Sequence, residues 1–370
     1  MNILIVKLSA VGDVIHTLPS LAALRRCYPQ AHISWVVEEA ASDLLADHPM
    51  LDRVLVSRRK RWLRDLREGR RRTAVLREIR EFLHVLRDRP YDLVVDFHGL
   101  FKSAVLVWLS GGKRRLGYDS LQEGSGLVLN EKIPEDMGKH AVDRYLDLPR
   151  HLGCETPKPE FPIALQEAHF ARVRELLAAF AVDTSRGFVA VSPVAYWETK
   201  LWDEAKFAAL CDRIVRELGL PVVFTGESPE GPVERIRSIM QAPSASAAGQ
   251  TSLRELAALY RSASVVLTTD SGPMHLAAAV GTPVVALFGP TSPARTGPYG
   301  EGHTVIRRGL DCSPCFRKVC ETRECMKAIG VDEVFEAVRE KTVNRAGSRR
   351  EASFPETPDS RNDLEGKAPT

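Results

Sequence analysis

The chain has 370 residues, 44% of them hydrophobic and 27% charged, which is enough to build two ordinary domains with separate cores. A net charge of +3 is too small to mark a nucleic-acid binder by itself, and no apolar run approaches the roughly 20 residues of a membrane span. The N-terminus enters a strand pattern directly, with no basic leader or cleavage site. Seven cysteines, an odd number, suit a reducing compartment better than a disulfide framework, so a cytoplasmic protein is expected.

The first predicted strand is "NILIV", and the turn after it, "KLSAVGDVIHTLPSL" from Lys7, holds Gly-Asp where dinucleotide folds place glycines against a pyrophosphate. A carboxylate at Asp13 would repel a phosphate held there, so either the turn binds none or the acid has chemistry of its own. Asp13 reads as an N-cap for residue 14 onward, worth about 1 kcal/mol. Pro19 argues against that helix because it would remove the bond to the Ile15 carbonyl. A start near Thr17 or Leu18 fits equally well and would leave Asp13 in an irregular loop.

"HISWVV" and a short helix follow, then a basic stretch: residues 58–80 hold eleven Lys/Arg against three Asp/Glu. Such a run is ordinarily a solvated helix face with local ion pairs. Its first part, Arg58 to Arg64 around Trp62, lacks a helical stripe and suits an anionic partner such as an acidic sugar, a phosphate or a membrane surface. No nucleic-acid module accompanies it, so nucleic acid is not expected. "YDLVVD" and "GLFKSAVLVWL" complete a βαβ rhythm, and the Pro-rich stretch "CETPKPEFPIAL" reads as an interdomain linker.

The rhythm restarts with "GFVAVS", a helix over residues 203–218, "PVVFTG", a helix from Pro232, "SLREL" as a capped helix start, "SVVLTTD", a helix from Gly272 and "PVVALFG". Two doubly wound α/β domains are therefore expected, residues 1–160 and 161–343, with ligands in the cleft between them. In "TTDSGPMHLAAAVGTPVVALFGPTSP" a strand ends at Asp270, and the amides of Ser271, Gly272 and Met274 at a helix N-terminus make an anion site beside His275. The bland alternative is that Asp270 or Ser271 merely caps a buried helix. A second turn, "FGPTSP", favours a nucleotide diphosphate. Glu230, and less so Glu227, stands where an acid accepts bonds from ribose hydroxyls, although helix-dipole complementation explains it too. Lys200 precedes a helix, placed either to meet phosphate or as an ordinary loop lysine. With phosphate on the second domain, Asp13 across the cleft suits a general base on an acceptor hydroxyl.

Cys312, Cys315, Cys320 and Cys325 are spaced C-x2-C-x4-C-x4-C, too tight for a usual zinc ribbon, and read as a structural knuckle with or without metal. Cys27, Cys154 and Cys211 read as ordinary positions. Residues 344–370, rich in Ser, Pro, Arg, Glu and Asp, read as disordered.

The segments "ILIVKLSAVGDVIHTLPSL", "WVVEEA", "YDLVVDFHGLFKSA", "HAVDRY", "KLWDEAKF" and "DSGPMHLAAAVGTPVVALFGPT" together resemble the ADP-heptose lipopolysaccharide heptosyltransferases over nearly the whole length to residue 343. The resemblance implies a GT-B fold of two Rossmann-like domains, no metal, and no cofactor beyond the donor substrate. The implied reaction is inverting transfer of heptose from ADP-heptose to a Kdo sugar of the lipid A core, at the cytoplasmic face of an anionic inner membrane. Transfer to a later core sugar is the alternative. It further implies Asp13 as catalytic base, Lys200 near donor phosphate, Asp270, Ser271, Gly272 and His275 in the donor turn, Glu230 on ribose, and Arg58, Arg61 and His140 on a phosphorylated acceptor. One departure bears on the acceptor: after "GYD", where the family often has Arg-Glu, this chain has Gln122-Glu123. A nicotinamide oxidoreductase would need a Gly-rich turn that neither half has. A metal- or nucleic-acid-binding module would rest on the cysteines and arginines alone.

Overall fold

The computed structural model describes residues 1–120, 122–228 and 230–351, with side chains described to residue 343. In the first half, strands β1 (Asn2–Val6), β2 (His32–Glu38), β3 (Arg53–Ser57), β4 (Leu93–Asp96), β5 (Arg114–Tyr118) and β6 (Glu131–Ile133) alternate with helices. Those helices are α1 (Val11–Cys27), α2 (Glu39–Ser42), α3 (Arg59–Arg67), α4 (Arg72–Arg87), α5 (Phe101–Leu109) and α6 (Ala141–His151). The second half holds α7 (Glu167–Ala179), β7 (Val189–Ser192), α8 (Glu204–Arg213), β8 (Val222–Phe224), α9 (Pro232–Ile239), β9 (Ala245–Ser246), α10 (Leu253–Ser262) and β10 (Val265–Thr269). It continues with α11 (Gly272–Ala279), β11 (Val284–Phe288), α12 (Pro293–Thr296), β12 (Thr304–Arg307), α13 (Glu324–Lys327) and α14 (Val331–Glu351).

Both sheets are parallel throughout and share one topology, β3-β2-β1-β4-β5-β6 and β12-β11-β10-β7-β8-β9. The second order, read from its far edge, repeats the first strand for strand. This is the doubly wound dinucleotide-fold order, whose ligand crevice lies where the winding reverses: at the C-terminal ends of β1 and β4 in one half and of β7 and β10 in the other. The central strands are buried on both faces, which is why they read as continuous runs such as "ILIV" and "VVAL" instead of alternating.

The halves meet along α1. Ile15 and Leu44 of the first domain pack into the second domain's core, and Arg254 donates to the Asp43 carboxylate (2.9 and 3.3 Å) and the Ala46 carbonyl (3.1 Å). Tyr299 donates to Asp143 at 2.8 Å.

Three expectations need correction. Helix α1 begins at Val11 with Ala10 as its N-cap and runs through Pro19, so Asp13 lies in the first helical turn and is neither the N-cap nor part of an irregular loop. The lost bond costs about 3 kcal/mol in an exposed helix, but this one buries twelve of its residues, and tertiary packing decides. Cys27 and Cys154, read as ordinary positions, form a disulfide tying the end of α1 to the loop after α6, with Cα atoms 5.3 Å apart. Residues 344–351 continue α14; residues 352–370 of the expected tail lie outside the described residues.

Candidate active site

Asp13 is half-buried at the third position of α1, where its Oδ2 accepts the Ala10 amide at 3.1 Å. Its Oδ1 accepts the Tyr145 hydroxyl at 3.2 Å, and that hydroxyl accepts from the buried Lys7 ammonium at 2.6 Å, whose other bond goes to the Phe97 carbonyl. Burial alone would raise the Asp13 pKa. The Lys7 charge and the Ala10 amide outweigh it, and the carboxyl sits below its ordinary value. Burial pushes Lys7 down in turn, opposed by Asp13. The result is a carboxylate held ionised by a charge that reaches it through a tyrosine and does not occupy it.

The second domain supplies the other wall. Asp270 directly follows β10, and Ser271 is the N-cap of α11. The Asp270 Oδ2 accepts Lys200 at 2.7 Å and the Thr291 hydroxyl at 2.6 Å. This bond network joins the "TTDSG" and "FGPTSP" turns and fixes Lys200 over them. Of the three amides expected to bind an anion, that of Met274 donates to the Ser271 carbonyl at 3.1 Å, so it is not free. The amides of Ser271 and Gly272 remain at the helix N-terminus, where no intrahelical acceptor exists.

The two walls touch. An added Cβ at Gly272 would lie 3.6 Å from Val11, and one at Gly12 would collide with the His275 ring. Gly12 therefore serves close approach of the two helix N-termini, not a phosphate. His275 Nδ1 meets His16 Nε2 at 3.0 Å, and His16 lies edge-on to His140. Burial lowers all three imidazoles, His16 well below its ordinary value and His275 to about 4, so the cluster is neutral near pH 7.

Other expected site residues lie apart from this cluster or are already engaged. His140 caps α6, accepting the Val142 amide at 3.2 Å on Nδ1, while its Nε2 pairs with the Gly297 carbonyl at 3.1 Å. Arg58 pairs with Glu39 at 3.2 Å, and Arg61 with Glu78 at 2.5 Å; Glu78 also accepts the Trp62 indole at 2.9 Å. The stretch expected to lack a helical stripe is helix α3, with Trp62 buried. Glu230 and Glu227 are exposed at the C-terminal end of β8.

The four-cysteine segment packs behind the turns that follow β10 and β11. The amides of Cys315 and Phe316 donate to the Pro290 carbonyl (3.0 and 2.8 Å), and Thr199, next to Lys200, donates to the Arg317 carbonyl at 2.8 Å. The four cysteines line one cavity of about 30 Å³, and among the described residues no three His, Cys, Asp or Glu side chains are arranged to hold a metal ion. The segment braces Lys200 and Thr291 from outside.

The sequence profile of glycosyltransferase family 9 (heptosyltransferase) matches residues 79–326. Lipopolysaccharide heptosyltransferase 1 of Pseudomonas aeruginosa is 32% identical over 323 residues, covering 86% of this chain and 87% of the relative. The chain belongs to glycosyltransferase family 9. Its namesake from Escherichia coli K12 is 28% identical, covering 83% of this chain and 93% of the relative. The structure of the E. coli heptosyltransferase WaaC with ADP has a TM-score of 0.73 at 25% identity, over 92% of this chain and all of that one. E. coli ADP-heptose lps heptosyltransferase II has a TM-score of 0.74 at 24% identity, over 94% of this chain and all of that one, which confirms the GT-B fold.

In this family 9 enzyme several residues around Asp13 escaped the sequence reading. Lys7 opens the turn after β1 and Tyr145 lies in α6, and neither was singled out from the sequence. Asp96 holds the loop after β4 by accepting the amides of His98 (2.9 Å) and Gly99 (3.2 Å) and the Ser103 hydroxyl (2.9 Å). Lys102 donates to Ser9 at 2.9 Å and lies 3.7 Å from Glu38, which also pairs with Arg59 at 2.9 Å. Only the run of polar residues in "DFHGLFKSA" right after a strand signalled them.

Proposed function

We propose that this heptosyltransferase transfers L-glycero-D-manno-heptose from ADP-heptose to a Kdo residue of the lipid A inner core, by a single inverting displacement. The observation that carries the reading is the contact of the two helix N-termini: one brings an ionised carboxylate, Asp13, with no direct ion pair among the described residues, and the other brings anion-binding amides and Lys200. WaaC, solved with ADP, shares the fold, and the most similar relatives described above are heptosyltransferases 1.

Asp13 takes the acceptor hydroxyl proton as the anomeric carbon passes through an oxocarbenium-like state. The amides of Ser271 and Gly272, with the Lys200 ammonium, take the charge that develops on the departing diphosphate. Lys200 is already oriented by Asp270, so little reorganisation is needed when the leaving group forms. Tyr145 holds Asp13 from the side of Lys7, leaving the rest of the carboxylate for the acceptor. Glu230 at the end of β8 is the proposed ribose contact, and Arg58 and Arg61 are proposed to face the phosphorylated acceptor where the enzyme meets the membrane. The reaction needs no metal or cofactor in this scheme. The test is direct: purified protein is offered ADP-heptose with Kdo-lipid A and with an acceptor already carrying the first heptose. Product on Kdo-lipid A supports the proposal; product only on the heptosylated acceptor assigns the enzyme to the later step, and product on neither rejects both.

A further inference from the structure

Helix α5 buries Ser103, Ala104, Leu106 and Val107 against the first sheet, yet every exposed position along it is apolar: Phe101 is 62% exposed, Val105 37% and Trp108 65%. A surface helix normally turns charged residues to water at such positions. Leu127, 81% exposed, comes from the turn packed against this helix and extends the patch. Beside it runs α4, whose exposed face shows Arg77, Arg80, His84 and Arg87 against one exposed acid, Glu81, already paired with Arg77 at 2.9 Å. The two helices are joined where Arg87 donates to the Leu109 carbonyl at 2.7 Å. At its other end α5 starts in the loop fixed by Asp96, close to Asp13.

We propose that this face, the apolar stripe of α5 flanked by the basic stripe of α4, is a docking surface for an anionic lipid bilayer. Tryptophan and phenylalanine favour the interface between headgroups and chains, and neighbouring arginines favour anionic headgroups, so the two stripes match the two layers of such a surface. The Phe101 end follows the loop whose His98 acts electrostatically on Asp13, so a bilayer here presents a lipid-anchored sugar on the Asp13 side. This last point rests on the acceptor reading above; the docking surface itself does not.

The test uses the full chain and vesicles of phosphatidylcholine, with or without phosphatidylglycerol, and no substrate. Wild type should sediment with the anionic vesicles and be released by salt. The Phe101→Ser/Trp108→Ser double variant should bind about tenfold more weakly or worse. Brominated lipid should quench the wild-type fluorescence, and Trp108→Phe should bind yet lose that quenching. Turnover of a delipidated, water-soluble acceptor should be the same in wild type and double variant, which confirms folding and separates failure of docking from failure of the acceptor reading. The proposal is overturned if wild type ignores anionic vesicles, if the double variant binds like wild type, or if Trp108 is not quenched. It is equally overturned if wild type is a dimer that the double variant dissociates, since the stripe then meets a second copy.

Discussion

Asp13 and Asp270 occupy comparable places in the two halves, each near the N-terminus of the helix that follows a central strand, yet their surroundings differ. Asp270 is buried and bonded directly to Lys200 and Thr291 on one oxygen. Asp13 receives a longer bond from Tyr145 and one from its own helix, and its counter-charge, Lys7, stands one residue further away. A carboxylate in an ion pair orients its partner, whereas one that is charged but loosely held can take a proton. The difference fits the proposed roles, Asp270 as the acid that builds the site and Asp13 as the acid that works in it.

The strongest test of this contrast is to exchange the two losses. Asp13→Asn should lower kcat by roughly a hundredfold to ten-thousandfold, with ADP-induced stabilisation nearly that of wild type and a stability loss smaller than that of Asp270→Asn, because Lys7 keeps its direct bonds to Tyr145 and the Phe97 carbonyl. Asp270→Asn leaves Lys200 without its partner in a mostly buried position, so it should cost about 3 kcal/mol of stability and weaken ADP binding as Lys200 loses its orientation. Denaturant melts with and without ADP, read beside single-turnover rates, check both. If Asp13→Asn were the less stable protein and Asp270→Asn the slower but well-folded one, the roles would be reversed.

Acid sharpens the contrast at the seam between the domains. His275 stays neutral down to about pH 4 in the folded protein, while an ordinary imidazole takes its proton near 6.5. Between those values the unfolded chain binds more protons, so stability falls as pH drops from 6.5 toward 4, by up to about 1.4 kcal/mol per pH unit for each such histidine. His16, also lowered well below its ordinary value by burial, adds to the slope in the same direction. His275→Asn should flatten it, which melts across that range would show.

Most of the framework is legible in the sequence. Continuous β-branched runs name parallel strands buried on both faces, and "TTDSGPMHL" names a strand, a cap and a helix start. The Asp13 environment was not, because Lys7 and Tyr145 are 138 residues apart in the chain and meet only through tertiary packing. Nor was the path of α1, where Pro19 gave a correct local argument that burial of the whole helix overrode. Cys27 and Cys154 carry no local signal for each other across 127 residues. The arginine run was read as lacking a stripe, yet Trp62 packs inward and Glu78 of the next helix gathers both its indole and Arg61, a pairing that spans a helix junction.

That pairing leads to the smallest effect and separates the two proposed acceptor arginines. Arg58 and Glu39 are both about half exposed, so their pair contributes under about 1 kcal/mol and yields readily to a competing phosphate. Arg61 is less exposed and shares Glu78 with a buried tryptophan, so an acceptor would have to break an existing arrangement to use it. Arg58→Ala should therefore raise the acceptor KM severalfold at low salt, with the increase fading as salt screens the contact. Arg61→Ala should act first on stability, lowering it by about 1 kcal/mol, with a smaller change in KM. ADP affinity should stay constant in both, since the donor turns lie in the other domain. A larger KM effect for Arg61→Ala, with its melting temperature unchanged, would mean that Arg61 leaves Glu78 when the acceptor arrives and that α3 rearranges on binding.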